Sequence, residues 1–183
     1  MEILNDHLLD ILSIQEEDGK ENKRQALRLV VFMRAQSDGL VKEYLHFQGA
    51  PLSNPDYNQK PQTEGLPTLE DLPASPWKRL SLSVSAFASL ASWFESVILW
   101  QTDLNPKAKQ LHKRLETCHQ QLKALCSSLA TILGRTDLSY PSTPTVSKTF
   151  AKKIAGYAVC VSFINWLQQT ERDLAILIAE TAV

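Results

Sequence analysis

The sequence predicts an all-α fold, a bundle of four helices, and the placement of proline is the first reason. Six of the nine prolines lie between Pro51 and Pro76. A proline inside a helix removes a backbone hydrogen bond and clashes with the preceding turn, so long helices fit only in proline-free stretches. Four stretches are long enough, and they cover residues 1–50, 77–105, 107–140 and 145–183.

The third stretch has the clearest helical period, which is the second reason. Its apolar residues recur at alternating spacings of four and three, the stripe of an amphipathic helix. These residues are Leu111, Leu115, Cys118, Leu122, Leu125, Leu129 and Ile132. Asn105 before Pro106 is a typical helix start, an N-cap followed by proline at the first position. Helix C is therefore predicted at 106–133.

The second stretch has an ambiguous local pattern. Apolar residues between Leu80 and Ala88 alternate with serine, as in a strand, but residues of the same stretch also fit a helical stripe. About 27 residues without proline or glycine is far too long for a typical strand. Helix B is therefore predicted at 77–103.

The two remaining helices, A and D, are predicted at 22–48 and 148–180 from similar stripes. Gly39 lies inside helix A, where it costs about 1 kcal/mol relative to alanine. The acidic segment 1–21 is predicted as an N-terminal extension, whose apolar residues can face one way as a short separate helix. The four helices then form one domain at 22–183.

The lengths of the connections limit the topology. Only a few residues join B to C, so these helices should be antiparallel neighbours. The A–B segment of about 28 residues can cross a bundle about 40 Å long, and the C–D segment of about 14 can barely do so. An up-up-down-down order is therefore allowed by the connections and not proved by them.

Composition excludes several classes of function. Lys and Arg number 19 against 20 Asp and Glu, a net charge of −1, which favours neither nucleic acid nor an anionic membrane. The sequence contains no run of 18 apolar residues, so it predicts no membrane insertion. The acidic N-terminus is unlike a secretory signal. The three cysteines are an odd number, so at least one thiol is unpaired, which by itself favours a reducing compartment.

No pattern for catalysis, cofactor or metal binding is present. His112 and His119 are seven residues apart, about 10.5 Å along a helix, too far to share a metal ion. Cys118 and Cys126 are about 12 Å apart and cannot form a disulfide with each other. A disulfide between Cys160 and either Cys118 or Cys126 remains an open alternative. We therefore expect neither an enzyme nor a cofactor.

The start of helix D breaks a rule of helix electrostatics. Lys148, Lys152 and Lys153 lie near a helix N-terminus, where negative charge is favoured, and no acidic residue accompanies them. Phe150 lies among them, at the i, i+3 spacing from Lys153. An aromatic ring rimmed by charge is typical of a binding hot spot. The alternative is that Phe150 covers the core and the lysines are merely solvated, and the residues alone do not decide.

Three segments carry a resemblance to a known family. They are Val41 to Tyr57 around Tyr44-Leu45-His46-Phe47-Gln48-Gly49, Leu104 to Glu116 around Asn105-Pro106, and Phe150 to Leu174 including Phe150-Ala151-Lys152-Lys153 and Trp166-Leu167. In this order and spacing, the chain resembles the cardiotrophin-type cytokines of the interleukin-6 family over about 23–183. Ciliary neurotrophic factor and leukaemia inhibitory factor are more distantly similar.

The resemblance implies a secreted ligand with a long-chain, up-up-down-down bundle. Such cytokines cross-link glycoprotein 130 and the leukaemia inhibitory factor receptor, which activates JAK/STAT signalling, and members often lack an ordinary signal peptide. The family's Phe-x-x-Lys motif matches Phe150 and Lys153, with Lys152 between them, and implies an edge that binds the leukaemia inhibitory factor receptor. Trp166 matches a family aromatic and is expected to pack.

A second, glycoprotein 130-type face is expected on the exposed sides of helices A and C. Its candidate residues are Gln25, Arg28, Gln36, Lys109, Lys113 and Glu116. A solvated surface has the same pattern, so this face rests mainly on the resemblance. The free ligand is expected to be a monomer. The alternatives are an intracellular helical adaptor, favoured by the odd number of thiols, and a lipid-binding bundle, which the proline-rich A–B segment disfavours.

Overall fold

A computed structural model describes the backbone of residues 2–181 and the side chains of residues 5–180. Within this range the chain forms five α-helices and no strand, and the predicted all-α four-helix bundle is confirmed. The helices are α1 Glu2–Gln36, α2 Leu40–Phe47, α3 Pro76–Leu104, α4 Lys109–Leu133 and α5 Thr149–Thr181. Helix A of the prediction corresponds to α1 and α2, and helices B, C and D correspond to α3, α4 and α5.

Two expectations about the N-terminal region are wrong. The acidic segment is not a short separate helix, because α1 runs without interruption from Glu2 to Gln36. Helix A is not continuous over 22–48, because a turn at residues 37–39 divides α1 from α2. Gly39 there has a φ of 78°, in the left-handed region that favours glycine. The glycine therefore marks a change of helix direction.

Helix α3 provides the middle of the core. It begins at Pro76, one residue before the predicted start, with Ser75 as N-cap. Its buried aromatic residues are Phe87, Trp93 and Phe94. Among the described helices it is the one whose length and hydropathy would suffice to cross a membrane, but 56% of that apolar window is buried inside the bundle. This burial is what a core helix requires, and the strand interpretation of residues 80–88 does not apply.

Helix α4 begins three residues later than predicted. Asn105 does not cap α4; it ends α3, where its backbone N–H donates to the carbonyl of Gln101 at 2.8 Å. Its own carbonyl accepts from the N–H of Ala108 at 3.1 Å, which closes a tight turn around Pro106. The predicted apolar stripe is confirmed, since six of its seven residues are buried and Ile132 is half-buried.

Long-range contacts join the helix ends. At one end, the amides of Gln48, just after α2, and Gln101, near the end of α3, exchange hydrogen bonds of 2.9 and 3.0 Å. At the other end, Arg79 near the start of α3 pairs at 2.8 Å with Asp173 near the end of α5. Asp173 is fully buried, so losing its partner would cost about 3–5 kcal/mol.

The first part of α1 lies outside the bundle. All residues from 5 to 18 are exposed, and five large apolar side chains there are 45–61% exposed. These side chains are Leu8, Leu9, Ile11, Leu12 and Ile14. At 1.5 Å per residue, this arm, residues 5–18, projects about 21 Å beyond the packed helices.

Candidate functional site

Phe150 lies in the first turn of α5 with its ring 53% exposed. Lys148 is exposed beside it, while Lys152 and Lys153 are half-buried. No acidic residue is present in this turn. The exposed part of the ring is accessible to another molecule, as a binding role requires. We call Phe150, Lys152 and Lys153 the α5 edge.

Lys153 is used inside the molecule, which the sequence did not indicate. Its ammonium donates to the carbonyl of Gln48 at 2.7 Å, at the end of α2 where a helix favours positive charge. The backbone carbonyl of Lys153 accepts from the hydroxyl of Tyr44 at 2.8 Å. Lys152 has no side-chain hydrogen bond or ion pair to any of the side chains that the structure describes. Lys153 therefore fixes the edge, while Lys152 is available to a partner.

A buried polar network lies beneath the edge. Tyr44 is fully buried, and its hydroxyl also accepts from the amide of Gln101 at 3.3 Å. Asn105 donates to the amide oxygen of Gln101 at 2.8 Å, and His112 Nε2 is 3.1 Å from the Gln101 carbonyl. Burial raises the pKa of Tyr44 well above its usual value, so the hydroxyl stays protonated. Satisfied networks of this kind hold a single arrangement of the backbone.

Gly156, one turn after the edge, allows Tyr44 to approach α5. A Cβ atom at this position would lie 2.0 Å from the Tyr44 hydroxyl oxygen and 2.6 Å from Cζ. Such distances are far inside van der Waals contact. Glycine is needed here because the tyrosine ring packs directly on the helix backbone.

The second predicted surface is exposed and spans two helices. All six candidate residues are exposed, with Gln25, Arg28 and Gln36 on α1 and Lys109, Lys113 and Glu116 on α4. We call these six residues the α1/α4 face. The side-chain amide of Gln36 is hydrogen-bonded to that of Gln121, which joins the two helices. Arg28 pairs with Glu21 at 2.8 Å, and this hydrogen bond lowers the pKa of the Glu21 carboxyl.

Sequence reasoning missed an aromatic residue on this face. Phe32 is 53% exposed and lies four residues from both Arg28 and Gln36, on the same side of α1. Its exposure equals that of Phe150. The signal in the sequence was a large aromatic residue in line with two candidate polar residues of the face.

The three cysteines are free and buried, so neither open disulfide forms. Burial raises the pKa of Cys118 to about 11 and that of Cys126 to about 12, and it raises the pKa of Cys160 as well. They behave as small core residues. Trp166 also packs as expected, since it is 3% exposed and donates to the Pro67 carbonyl at 3.3 Å.

The two histidines of α4 do not form a metal site. His112 belongs to the buried network, while His119 Nε2 lies 3.3 Å from a carboxylate oxygen of Glu95. Burial lowers the pKa of His119. Among the described residues, no three metal-ligating side chains come together.

A bundle of long helices around one core, with long connections between the first two and the last two, is the architecture of a helical cytokine. The chain belongs to the plethodontid receptivity factor family, whose model matches residues 25–182.

Curated relatives agree with this assignment. The chain is 29% identical to cardiotrophin-2 of Pan troglodytes over 171 residues, covering 85% of the chain and 83% of the relative. It is 29% identical to human cardiotrophin-1 over 177 residues, covering 85% and 84%. A search of solved structures found no match. The predicted resemblance is confirmed, and the chain is a cardiotrophin-like cytokine of the interleukin-6 family and not an enzyme.

Proposed function

We propose that this protein is an extracellular cytokine that cross-links two receptor chains, one of the glycoprotein 130 type and one of the leukaemia inhibitory factor receptor type. Joining the receptors would activate JAK/STAT signalling. The observation that carries the proposal is the exposed Phe150 ring on a turn that Lys153 and Tyr44 fix in place. The similarity to the cardiotrophins supports the same role, including an extracellular location.

Cross-linking needs two separate surfaces on one rigid body. The α5 edge and the α1/α4 face use different helices, so one monomer can hold two receptors. Once the first receptor is bound at a membrane, the second meets a high effective concentration of ligand. No catalytic step, cofactor, nucleic acid or membrane insertion is involved.

An up-up-down-down order of the helices fits this role. It would bring the ends of α2 and α3 together, and the Gln48–Gln101 hydrogen bonds support that arrangement. It would also bring the start of α3 to the end of α5, as the Arg79–Asp173 pair requires. The receptor-binding unit is then 22–183, and the family match from residue 25 supports leaving 1–21 outside it.

Within the α5 edge the three side chains have different roles. Phe150 is the apolar anchor that a receptor pocket would bury, which is the usual source of most interface energy. Lys152 supplies rim charge, which affects the association rate more than the affinity. Lys153 is a positioning residue, because its ammonium is already bound to the end of α2.

The first test measures how purified ectodomains of glycoprotein 130 and of the leukaemia inhibitory factor receptor bind to the Phe150→Ala variant. The second test measures STAT phosphorylation in cells that have glycoprotein 130 and in cells that lack it. We expect the affinity of Phe150→Ala for the leukaemia inhibitory factor receptor ectodomain to fall about 30-fold or more, as for a hot spot of at least 2 kcal/mol. Helicity and melting temperature should not change. Tyr140→Ala is the matched control, since Tyr140 is 41% exposed and near Lys123.

Other results would reject the proposal. Equal loss of stability and binding would make Phe150 a structural residue. A signal that persists in cells without glycoprotein 130 would exclude that receptor. Unchanged binding by Phe150→Ala would remove the edge from the mechanism.

A second candidate function, an intracellular helical adaptor, is favoured by one observation. All three cysteines are free thiols, which is typical of a reducing compartment. The two functions differ in where native protein accumulates. Expressing cells should release folded protein to the medium if the cytokine proposal holds, and should retain it in the cytosol if the adaptor role is correct.

A further inference from the structure

Arg114 of α4 holds the break between α1 and α2. Its guanidinium donates to the carbonyls of Gln36 at 3.0 Å and Asp38 at 2.7 Å, and to the carboxylate of Glu43 at 2.5 Å. These three acceptors lie at the end of α1, in the turn and in α2. The arginine side chain is 26% exposed and that of Glu43 only 15%, so water competes weakly for these bonds.

The chemistry of this contact suits arginine in particular. The last carbonyls of a helix have no partner within the helix and carry partial negative charge, so a cation there is favourable. The guanidinium presents five donors in a fixed plane and can bind several acceptors at once. A lysine ammonium on its flexible stem does not reproduce this geometry. Arg114 therefore both caps α1 and sets the direction in which α2 leaves it.

The same contact determines how the α1/α4 face is assembled. Gln36 is bound through its carbonyl to Arg114 and through its side chain to Gln121. Lys113 is the chain neighbour of Arg114, and all four residues line one cleft of about 240 Å³ between the helices. The position of Gln36 relative to Lys113 thus depends on the arginine.

We infer that Arg114 is a positioning residue of the α1/α4 face and determines affinity for the receptor that binds there, an inference that rests on the proposed function. The contacts of the α5 edge also use α2, but they lie towards its far end, where Lys153 and Tyr44 join α5 and Gln48 is tied to Gln101 of α3, so none of them is a bond to Arg114. Loss of Arg114 should therefore weaken one receptor contact and spare the other. A residue that acted only through global stability would weaken both.

The experiment compares Arg114→Ala and Arg114→Lys with the wild-type chain in binding to the two purified ectodomains. The matched control is Arg135→Ala, because Arg135 has the same 26% exposure and also binds a backbone carbonyl and a carboxylate, at the other end of α4. We expect Arg114→Ala to lower affinity for glycoprotein 130 at least tenfold and affinity for the other receptor less than twofold. The affinity of Arg114→Lys for glycoprotein 130 should lie between those of the wild-type chain and Arg114→Ala. Arg135→Ala should bind both ectodomains as the wild-type chain does.

Hydrogen exchange of backbone amides at 37–43 provides a second measurement that needs no receptor. It should become faster in Arg114→Ala and stay unchanged at 149–156. Equal loss of affinity for both receptors, or no loss for either, overturns the inference, as does unchanged exchange at 37–43. If the wild-type chain binds neither ectodomain, the proposed function fails. In that case faster exchange at 37–43 keeps Arg114 as the residue that holds the break, while its receptor role is rejected.

Discussion

The α5 edge and the α1/α4 face each carry a phenylalanine that is 53% exposed, but they are supported differently. Beneath the edge lies a buried network in which Tyr44, Gln48 and Gln101 join three helices. The face consists of exposed side chains on two helices, joined mainly through Arg114 and a Gln36–Gln121 hydrogen bond. Exposure alone therefore does not distinguish the two surfaces. Mutations of buried residues should affect the edge, and mutations of the helix contact should affect the face.

The largest effect on stability is expected for Gly156→Ala. The added methyl group would overlap Tyr44, and overpacking of this kind costs about 1–3 kcal/mol. For a chain of this length that is a fall of roughly 2–4 °C in melting temperature for each kcal/mol. Affinity at the edge should fall with it, while affinity at the face is retained. Calorimetry and ectodomain binding measure the two effects.

Gly19→Ala is the control for that substitution. Gly19 is also helical, but no heavy atom lies within 4 Å of its added Cβ. Replacing glycine by alanine in such a position should stabilise the helix by up to about 1 kcal/mol. If both variants melted alike, close approach of Tyr44 to α5 would not be the reason for glycine at 156.

Phe32→Ala should have the next largest effect, confined to the α1/α4 face. Removal of an exposed aromatic anchor is expected to lower affinity for glycoprotein 130 about tenfold, equivalent to about 1.4 kcal/mol. Melting should not change, because the ring is half exposed. The neighbour Val31 is 47% exposed and points about 100° away around the helix, so Val31→Ala is the control. If Phe32→Ala and Val31→Ala lowered the affinity equally, the receptor contact would not be centred on the side of α1 that carries Arg28, Phe32 and Gln36.

The smallest effect concerns pH and the buried thiols of α4. The folded-state pKa values of Cys118 and Cys126, about 11 and 12, exceed the ordinary value of 9.0. The folded protein then holds these protons more tightly than the unfolded chain, so the stabilisation is complete below pH 9 and is lost as pH rises towards 12. Urea unfolding at pH 8 and pH 10.5 should show a lower free energy of unfolding at the higher pH. Cys126→Ala should reduce that difference, and an unchanged difference would assign it to other groups.

Local sequence patterns predicted much of the bundle. The stripe of α4 depends on periodicity within a single segment, and it is confirmed. The start of α5 was identified as a candidate binding site because its lysines place positive charge at a helix N-terminus, where negative charge is favoured. Each of these signals is contained in the segment that it describes.

Long-range contacts account for what was missed. Gly39 was counted as a local cost, but the turn there is held by Arg114, which is 75 residues away in the sequence. Asn105 has the residue type of an N-cap and was assigned to α4, yet its amide bonds to Gln101 of α3. Lys153 looked like a free cation because its partner, the Gln48 carbonyl, lies 105 residues away. Partners of this kind cannot be identified from spacing.

The arm of α1 has a practical consequence for studying the molecule. Residues 5–18 are exposed on every side, and a lone helix of 14 residues is marginal in water without tertiary contacts. A fluorophore attached at Asp10 would therefore leave the packed helices undisturbed. It would sense a protein that approaches the point where the arm joins the bundle. It would offer a spectroscopic reporter that is remote from the α5 edge and lies on the same helix as part of the α1/α4 face.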